Sequence, residues 1–256
     1  MSVTGAKPVE ITDAQKQQYQ EEGYFILESA LDDEQLEYIR GECDRLRVEM
    51  EAEMAREAEK SRGITHKGSR YFISNRHRDN PSLRPYIFSE IMAEICRSTL
   101  GDTAYLFHEQ FVVKGPEVGM KFGWHQDSGY VGFDHRPYMS CWAALDDVSD
   151  ENGTVYILPF SRAGTRRRQD HRIVDETNDK IGYFGDDPGV PVVAPAGSIA
   201  VFSSVSFHRS SPNTSDGWRR VYLTQYSAEP ILTEDGTRNW SNAEPFLVDG
   251  VRVTAE

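Results

Sequence analysis

The stretch AYLFHEQFVV (residues 104–113) marks the point at which the chain changes character. It is rich in aromatic and β-branched residues, and Gly101 bounds it upstream. Such a run favours a strand, because branched and aromatic side chains pack well on a pleated surface. Runs of the same kind follow at Met139 to Val148, Val155 to Leu158, Val190 to Ala194, Ile199 to Phe202 and Val221 to Tyr226, separated by turn-forming residues. Short strands at this density imply a β-sandwich or barrel.

Upstream the period is helical. Asp13 to Glu22 is helix-friendly, with Thr12 or Asp13 placed to cap it and Gly23 placed to stop it. Tyr24 to Leu27 has the composition of a short strand. From Asp32 and Asp33 onward, Leu36, Ile39, Cys43, Leu46 and Met50 recur at three- and four-residue spacing, which predicts a helix towards Lys60. Its second half, from Glu49, carries little apolar surface and is expected to fray. Gly63 to Pro85 shows neither period and is expected to be a loop, a lid or a disordered segment; the connection 165–188 is open to the same two readings. Helical spacing returns at Tyr86 to Leu100. Helices first and strands afterwards give an α+β order, mainly β, in a single expected domain over 1–256. Residues 1–100 would form a helical buttress and lid loop, 101–228 the barrel core and 229–256 a C-terminal tail.

The chain of 256 residues carries 28 Lys+Arg against 41 Asp+Glu, a formal net charge of −13. That balance argues against nucleic acid or an anionic membrane as partner, since polyanions are gripped by a concentrated positive face. Arg166, Arg167 and Arg168 are expected to form a solvated loop face. Cys43, Cys96 and Cys141 are too scattered for a disulfide framework or a cysteine-rich zinc site. Met1 to Asp13 contain no signal-like apolar segment, and no apolar run approaches the ~20 residues of a membrane span. A cytoplasmic protein with a small-molecule partner is the expectation, its oligomeric state open.

The string most informative about chemistry is Gly123-Trp124-His125-Gln126-Asp127, followed 81 residues after Asp127 by His208. At a strand end, residues i and i+2 can face one point, and a His from a distant strand would complete three ligands. Two His and one carboxylate, with the opposite positions open, suit a non-haem Fe(II) oxygenase. Alone, His-Xaa-Asp is weak evidence. Arg219 strengthens it: it follows His208 by eleven residues across Ser210, Pro212, Asn213 and Gly217, as strand, turn and next strand. A hairpin would bring its two-donor fork near the metal, suited to the far carboxylate of a dicarboxylic cosubstrate; a cross-strand ion pair is the alternative. Arg220 would alternate to the solvent face.

Three blocks resemble the phytanoyl-CoA dioxygenase (PhyH-like) family of Fe(II)- and 2-oxoglutarate-dependent oxygenases. They are Lys114-Gly115-Pro116 leading into Trp124-His125-Gln126-Asp127; Trp142-Ala143-Ala144-Leu145 with Asn152-Gly153-Thr154 and Leu158-Pro159; and His208-Arg209-Ser210 through Asn213 to Arg219. The resemblance covers about half the chain, Phe107 to about Ala228. It implies a double-stranded β-helix (jelly-roll, cupin-like) buttressed by the N-terminal helices. It further implies that His125, Asp127 and His208 bind Fe(II), that Arg219 clamps 2-oxoglutarate, and that Ser210, Trp142 and, more softly, Gln110 line the cosubstrate pocket. Lys114 is left as a loop-stem residue. One departure is Pro159-Phe160-Ser161-Arg162, where members often show Pro-Gly-Ser-His; it touches the substrate side, not the metal.

The implied reaction consumes O₂ and 2-oxoglutarate, releases succinate and CO₂, and hydroxylates an unactivated carbon of a small metabolite, an amino acid or natural-product intermediate. Related halogenases replace the carboxylate ligand with a small residue, so Asp127 favours hydroxylation. Candidate substrate walls are Arg70 and Asn75 in the 63–85 segment, Phe122, Tyr130 and Phe133 around the motif, the connection Arg166 to Asp187, and Trp240 if the tail folds back. Arg70, Arg76 and the arginine cluster would suit an anionic substrate. Two rival readings stand beside this one: a zinc hydrolase using the same three residues, and a non-catalytic barrel that keeps a metal as structure.

Overall fold

The computed structural model describes residues 10–174 and 177–253, so Met1 to Val9, two residues of the 165–188 connection and residues 254–256 lie outside it. Helix α1 (Asp13–Glu22) begins at Thr12, whose Oγ1 accepts from the Gln15 amide at 3.2 Å while the Gln15 side chain accepts from the Thr12 amide at 3.0 Å. A cap of this kind is worth about 1 kcal/mol. Gly23 ends the helix at φ 82°, donating its N–H to the Tyr19 carbonyl at 2.9 Å. Strand β1 (Tyr24–Leu27) follows as expected.

Helix α2 runs Asp33–Arg56 and does not fray from Glu49, because Met50 and Met54 continue its buried stripe. The segment expected to be a loop contains strand β2 (Arg70–Ser74), paired along strand β3 (Ala104–Lys114) from Arg70 opposite Lys114 to Ser74 opposite Gln110. Only Tyr71 and Ile73 bury apolar side chains there, too short a signal to register as a period. The long β3 supplies the partner that makes so brief a strand stable. Helical spacing over 86–100 resolves into a turn at Arg84–Ile87 and helix α3 (Glu90–Thr99), capped by Ser89.

Besides the two-residue strands Ser61–Arg62, Thr65–His66, Arg172–Ile173, Lys180–Ile181 and Val251–Arg252, the remaining strands are β4 (Phe122–His125), β5 (Met139–Ala144), β6 (Val155–Leu158), β7 (Val190–Pro191), β8 (Ile199–Ser203), β9 (Phe207–Ser210), β10 (Arg219–Ser227) and β11 (Glu244–Val248). They build a large antiparallel sheet running β1-β8-β5-β10-β3-β2 and on through Thr65–His66 and Ser61–Arg62, with β11 also on β3, and a small sheet of order β7-β6-β9-β4. All six residues of β5 are buried, because both faces are covered. Cys141 and Ala143 join α2 and α3 in one core; Trp142 and Ala144 face inward and pack with Val155 and Ile157 of the small sheet. The two facing sheets, with helices behind the larger, make the double-stranded β-helix. No helix of the described residues is long and apolar enough to cross a membrane.

Candidate metal centre

β4 and β9 are antiparallel neighbours, and His125 and His208 are register partners across them, with ring centroids 4.1 Å apart. Each imidazole donates Nδ1–H to a carbonyl two residues back: His125 to Gly123 at 2.8 Å, His208 to Ser206 at 3.1 Å. A carbonyl can only accept, so Nδ1 carries the proton and the Nε2 lone pair faces the interior. Burial, and then neighbouring His208, push the His125 pKa well down, which keeps it the neutral ligand form.

Asp127 reaches the same point by a different route from the extended alternation expected. The strand stops at His125, and Asp127 is helical (φ −59°, ψ −37°) at the head of the turn Ser128–Val131. Its Oδ1 lies 3.9 Å from His125 Nε2 and 3.5 Å from His208 Nε2. Oδ2 accepts from Ser140 Oγ at 2.7 Å and Gln225 Nε2 at 2.9 Å, leaving Oδ1 to face the histidines. Burial alone would raise this carboxyl; His208 and His125, whenever protonated, and the bond from Ser140 outweigh it and hold the pKa at about 2. Two lone pairs and an ionised carboxylate oxygen lying within 4.8 Å of one another fit a divalent ion. Gln126, between the ligands, is a tie: it binds the Arg167 and Val205 carbonyls and the Gln169 amide, and its own amide donates to His171 Nε2 at 2.8 Å. The described part of 165–188 is thereby packed onto the motif.

Two cavities open at this centre. The smaller is lined by Lys114, Trp142, Ser210 and Arg219 together with Gln110 and Arg70. Arg219 is only 1% exposed, its Nε has no hydrogen-bond partner, and Nη1 reaches only the Val112 carbonyl at 3.4 Å. Burial lowers its pKa to about 10, so it remains a cation at neutral pH. No ion pair engages it among the described residues, which excludes the cross-strand alternative. His208 and Arg219 are not on one hairpin, however: β9 belongs to the small sheet and β10 to the large one. The turn crosses the barrel, and the guanidinium approaches from the opposite wall. Arg220 points away as expected but is not free in solvent; it pairs with Asp146 at 2.6 Å and Asp44 at 2.7 Å. Lys114 is also corrected: it is 1% exposed inside the cavity, donating to Ser210 Oγ at 2.8 Å and to the Ser211 carbonyl.

The larger cavity, about 380 Å³, contains Phe122, Tyr130 and Trp240 of the residues singled out from sequence, so the tail does fold back. Phe133 stands behind, edge-to-face with Trp240 at 5.6 Å. Arg70 is not free for a substrate: it forms a buried two-bond pair with Asp179 at 2.7 and 3.0 Å. Asn75 lies outside both cavities; its Oδ1 accepts from Asn242 at 2.8 Å. Arg166 binds carbonyls at the end of α1, and Arg168 pairs with Asp134 and Asp170 at 3.3 Å, so neither faces a cavity. Gln225, Ser140 and His108 escaped the sequence reading, and Lys114 was read only as a loop stem. One signal existed for Gln225: six residues after Arg219 on one strand, it shares the inward face.

An open two-histidine, one-carboxylate face inside a double-stranded β-helix defines the mononuclear non-haem iron dioxygenases. Residues 19–221 match the family Phytanoyl-CoA dioxygenase (PhyH), and the chain belongs to that family. Among relatives, the probable alpha-ketoglutarate-dependent hypophosphite dioxygenase of Stutzerimonas stutzeri is 25% identical over 254 residues, covering 92% of this chain and 85% of that protein. The peroxisomal phytanoyl-CoA dioxygenase of Mus musculus is 24% identical over 241 residues, covering 85% and 69%. The solved structure of the non-heme alpha ketoglutarate dependent carbocyclase SnoK from nogalamycin biosynthesis superposes with a TM-score of 0.68 at 19% identity, over 94% of this chain and 95% of that one. At that identity it supports the fold alone.

Proposed function

We propose that this protein is an Fe(II)- and 2-oxoglutarate-dependent oxygenase of a small molecule, hydroxylating an unactivated carbon. His125, Asp127 and His208 would hold the iron, and Arg219, with Lys114 and Ser210, would receive the far carboxylate of 2-oxoglutarate. The observation that carries this reading is the buried, unpaired guanidinium of Arg219 in a cavity that opens at the His–Asp–His group. A buried cation without an anion is costly, and a carboxylate entering the cavity removes that cost.

When bound, iron and 2-oxoglutarate supply the oxidation: O₂ is activated as the keto acid is converted to succinate and CO₂. The protein's own residues prepare it. Ser140 and Gln225 hold Oδ2 of Asp127, so Oδ1 is the oxygen that would be offered to the metal. Trp142 walls the cosubstrate cavity with apolar surface, which limits water at the reacting face. Asp127 occupies the place a halide would need, which favours hydroxylation over halogenation. A zinc hydrolase gives Arg219 no task, so that reading has no observation of its own.

The test is O₂-dependent succinate formation from 2-oxoglutarate by ferrous-loaded protein. His125→Ala, Asp127→Ala and His208→Ala should each abolish it while circular dichroism shows the fold retained. Absence of succinate from the wild type, with metal bound, would support a binding barrel instead.

A further inference from the structure

The aromatic cavity beside the candidate metal ligands is not lined by Arg70, Arg76 or the arginine cluster, the residues on which the expectation of an anionic substrate rested. Resting on the oxygenase reading above, we infer that it takes an uncharged, ring-containing molecule bearing hydroxyl or carbonyl oxygens along one edge.

Charge is the first argument. Among the described residues, the lining contains no Lys, Arg or Glu; its one acid is Asp127, the candidate metal ligand. Nearby cations are engaged elsewhere: Arg70 by both oxygens of Asp179, and Arg78 by the Asn242 side chain. An anion entering here would lose its hydration, find no cation among the lining residues and face Asp127.

A cation is disfavoured for a separate reason. Aromatic faces attract positive charge, but these faces already carry it. The Arg70 guanidinium lies over the Phe122 ring at 4.8 Å and the Phe72 ring at 5.5 Å, and Lys180 Nζ lies over Tyr130 at 5.3 Å. A further cation would have to share those rings with Lys180 and with Arg70, whose charge Asp179 already offsets.

The remaining polar groups are neutral and lie close together. The β3–β10 register shifts so that Gln225 faces His108 but Tyr226 faces Leu106, leaving Phe107 as an extra residue. That bulge breaks the alternation and turns both Phe107 and His108 into the cavity. His108 Nδ1 lies 3.2 Å from Ser241 Oγ, and burial lowers the imidazole's pKa, so it is a neutral donor and acceptor. Gln110 follows two residues later on the same face. Phe72, Phe122, Tyr130 and Tyr138 supply apolar surface around this polar patch. Neutral oxygens of a substrate satisfy it; a plain hydrocarbon leaves it unpaired.

The test uses protein loaded anaerobically with Fe(II) and 2-oxoglutarate, loading being verified by the visible charge-transfer band of the chelate. Equilibrium dialysis then compares three probes of one shape: 2-naphthol, 2-naphthoate and 2-naphthylmethylammonium. The expected result is that 2-naphthol binds about tenfold or more tightly than either charged analogue. His108→Leu should narrow the gap between 2-naphthol and naphthalene. Equal or tighter binding of a charged probe, or no binding of any of the three, overturns the inference while the band stands. If no band forms, the oxygenase reading itself fails and the inference falls with it.

Discussion

Gln225 and Asp127 are 98 residues apart in sequence, yet the Gln225 amide donates to Asp127 Oδ2 at 2.9 Å and to Ser140 Oγ at 3.0 Å. The carboxylate is therefore aimed from behind by two strands of the large sheet. Groups that orient a metal ligand typically contribute 10- to 100-fold in affinity. Gln225→Ala should accordingly weaken Fe(II) binding by roughly one to two orders of magnitude with little change in melting temperature. A metal titration against a chelating dye checks this, and wild-type affinity in the variant would count against the role.

Arg219→Met should separate binding from stability. It removes a charged donor from the cosubstrate, at a cost of about 2 kcal/mol in 2-oxoglutarate affinity. It also removes a buried cation that has no anion beside it, so the ligand-free variant should melt above the wild type. Added 2-oxoglutarate should then give little of the upward shift that it gives the wild type. A lower melting temperature with normal cosubstrate binding would assign Arg219 to structure.

Lys114 makes a proton-linked prediction. Burial, then Arg219 and Arg70, hold its pKa well below the ordinary lysine value in the empty cavity. A dicarboxylate arriving beside it favours the ammonium form and raises the pKa again. Between the depressed value and the raised one, the complex binds more protons than the free protein, so binding takes up a proton and weakens as pH rises through that window. Calorimetry in two buffers of different ionisation enthalpy should give different binding enthalpies, and Lys114→Met should remove the difference. Identical enthalpies for the wild type would contradict this.

The Arg70–Asp179 pair ties strand β2 to the 165–188 connection, with both partners buried. Asp179→Ala leaves the Arg70 charge without a partner and should destabilise the protein by about 3–5 kcal/mol. Urea denaturation measures this; a change near zero would show that water reaches the guanidinium and compensates it.

The candidate ligands were legible because a metal site needs particular residue types, and a His-Xaa-Asp that is weak evidence alone stands in order with His208, Arg219 and the three family-like blocks. The route by which they meet was less legible. Asp127 depends on a helical turn that a strand rule does not anticipate, and spacing alone cannot tell a hairpin from the crossing between sheets that carries Arg219. Lys114 was missed because a lysine beside Gly-Pro ordinarily lies in solvent; its burial follows only when the two sheets close over it. The substrate reading failed at Arg70 for a similar reason: its partner, Asp179, is 109 residues away and nothing local announces it.

The central claim, that three side chains hold one ferrous ion with room for a chelating keto acid, is tested most directly by anaerobic absorption spectroscopy. Wild-type protein given Fe(II) and then 2-oxoglutarate should develop the weak visible band of the chelate, saturating at one equivalent of each. His125→Ala and His208→Ala should not develop it. A wild-type protein that binds the metal yet shows no band, or a band that survives loss of either histidine, would contradict the account.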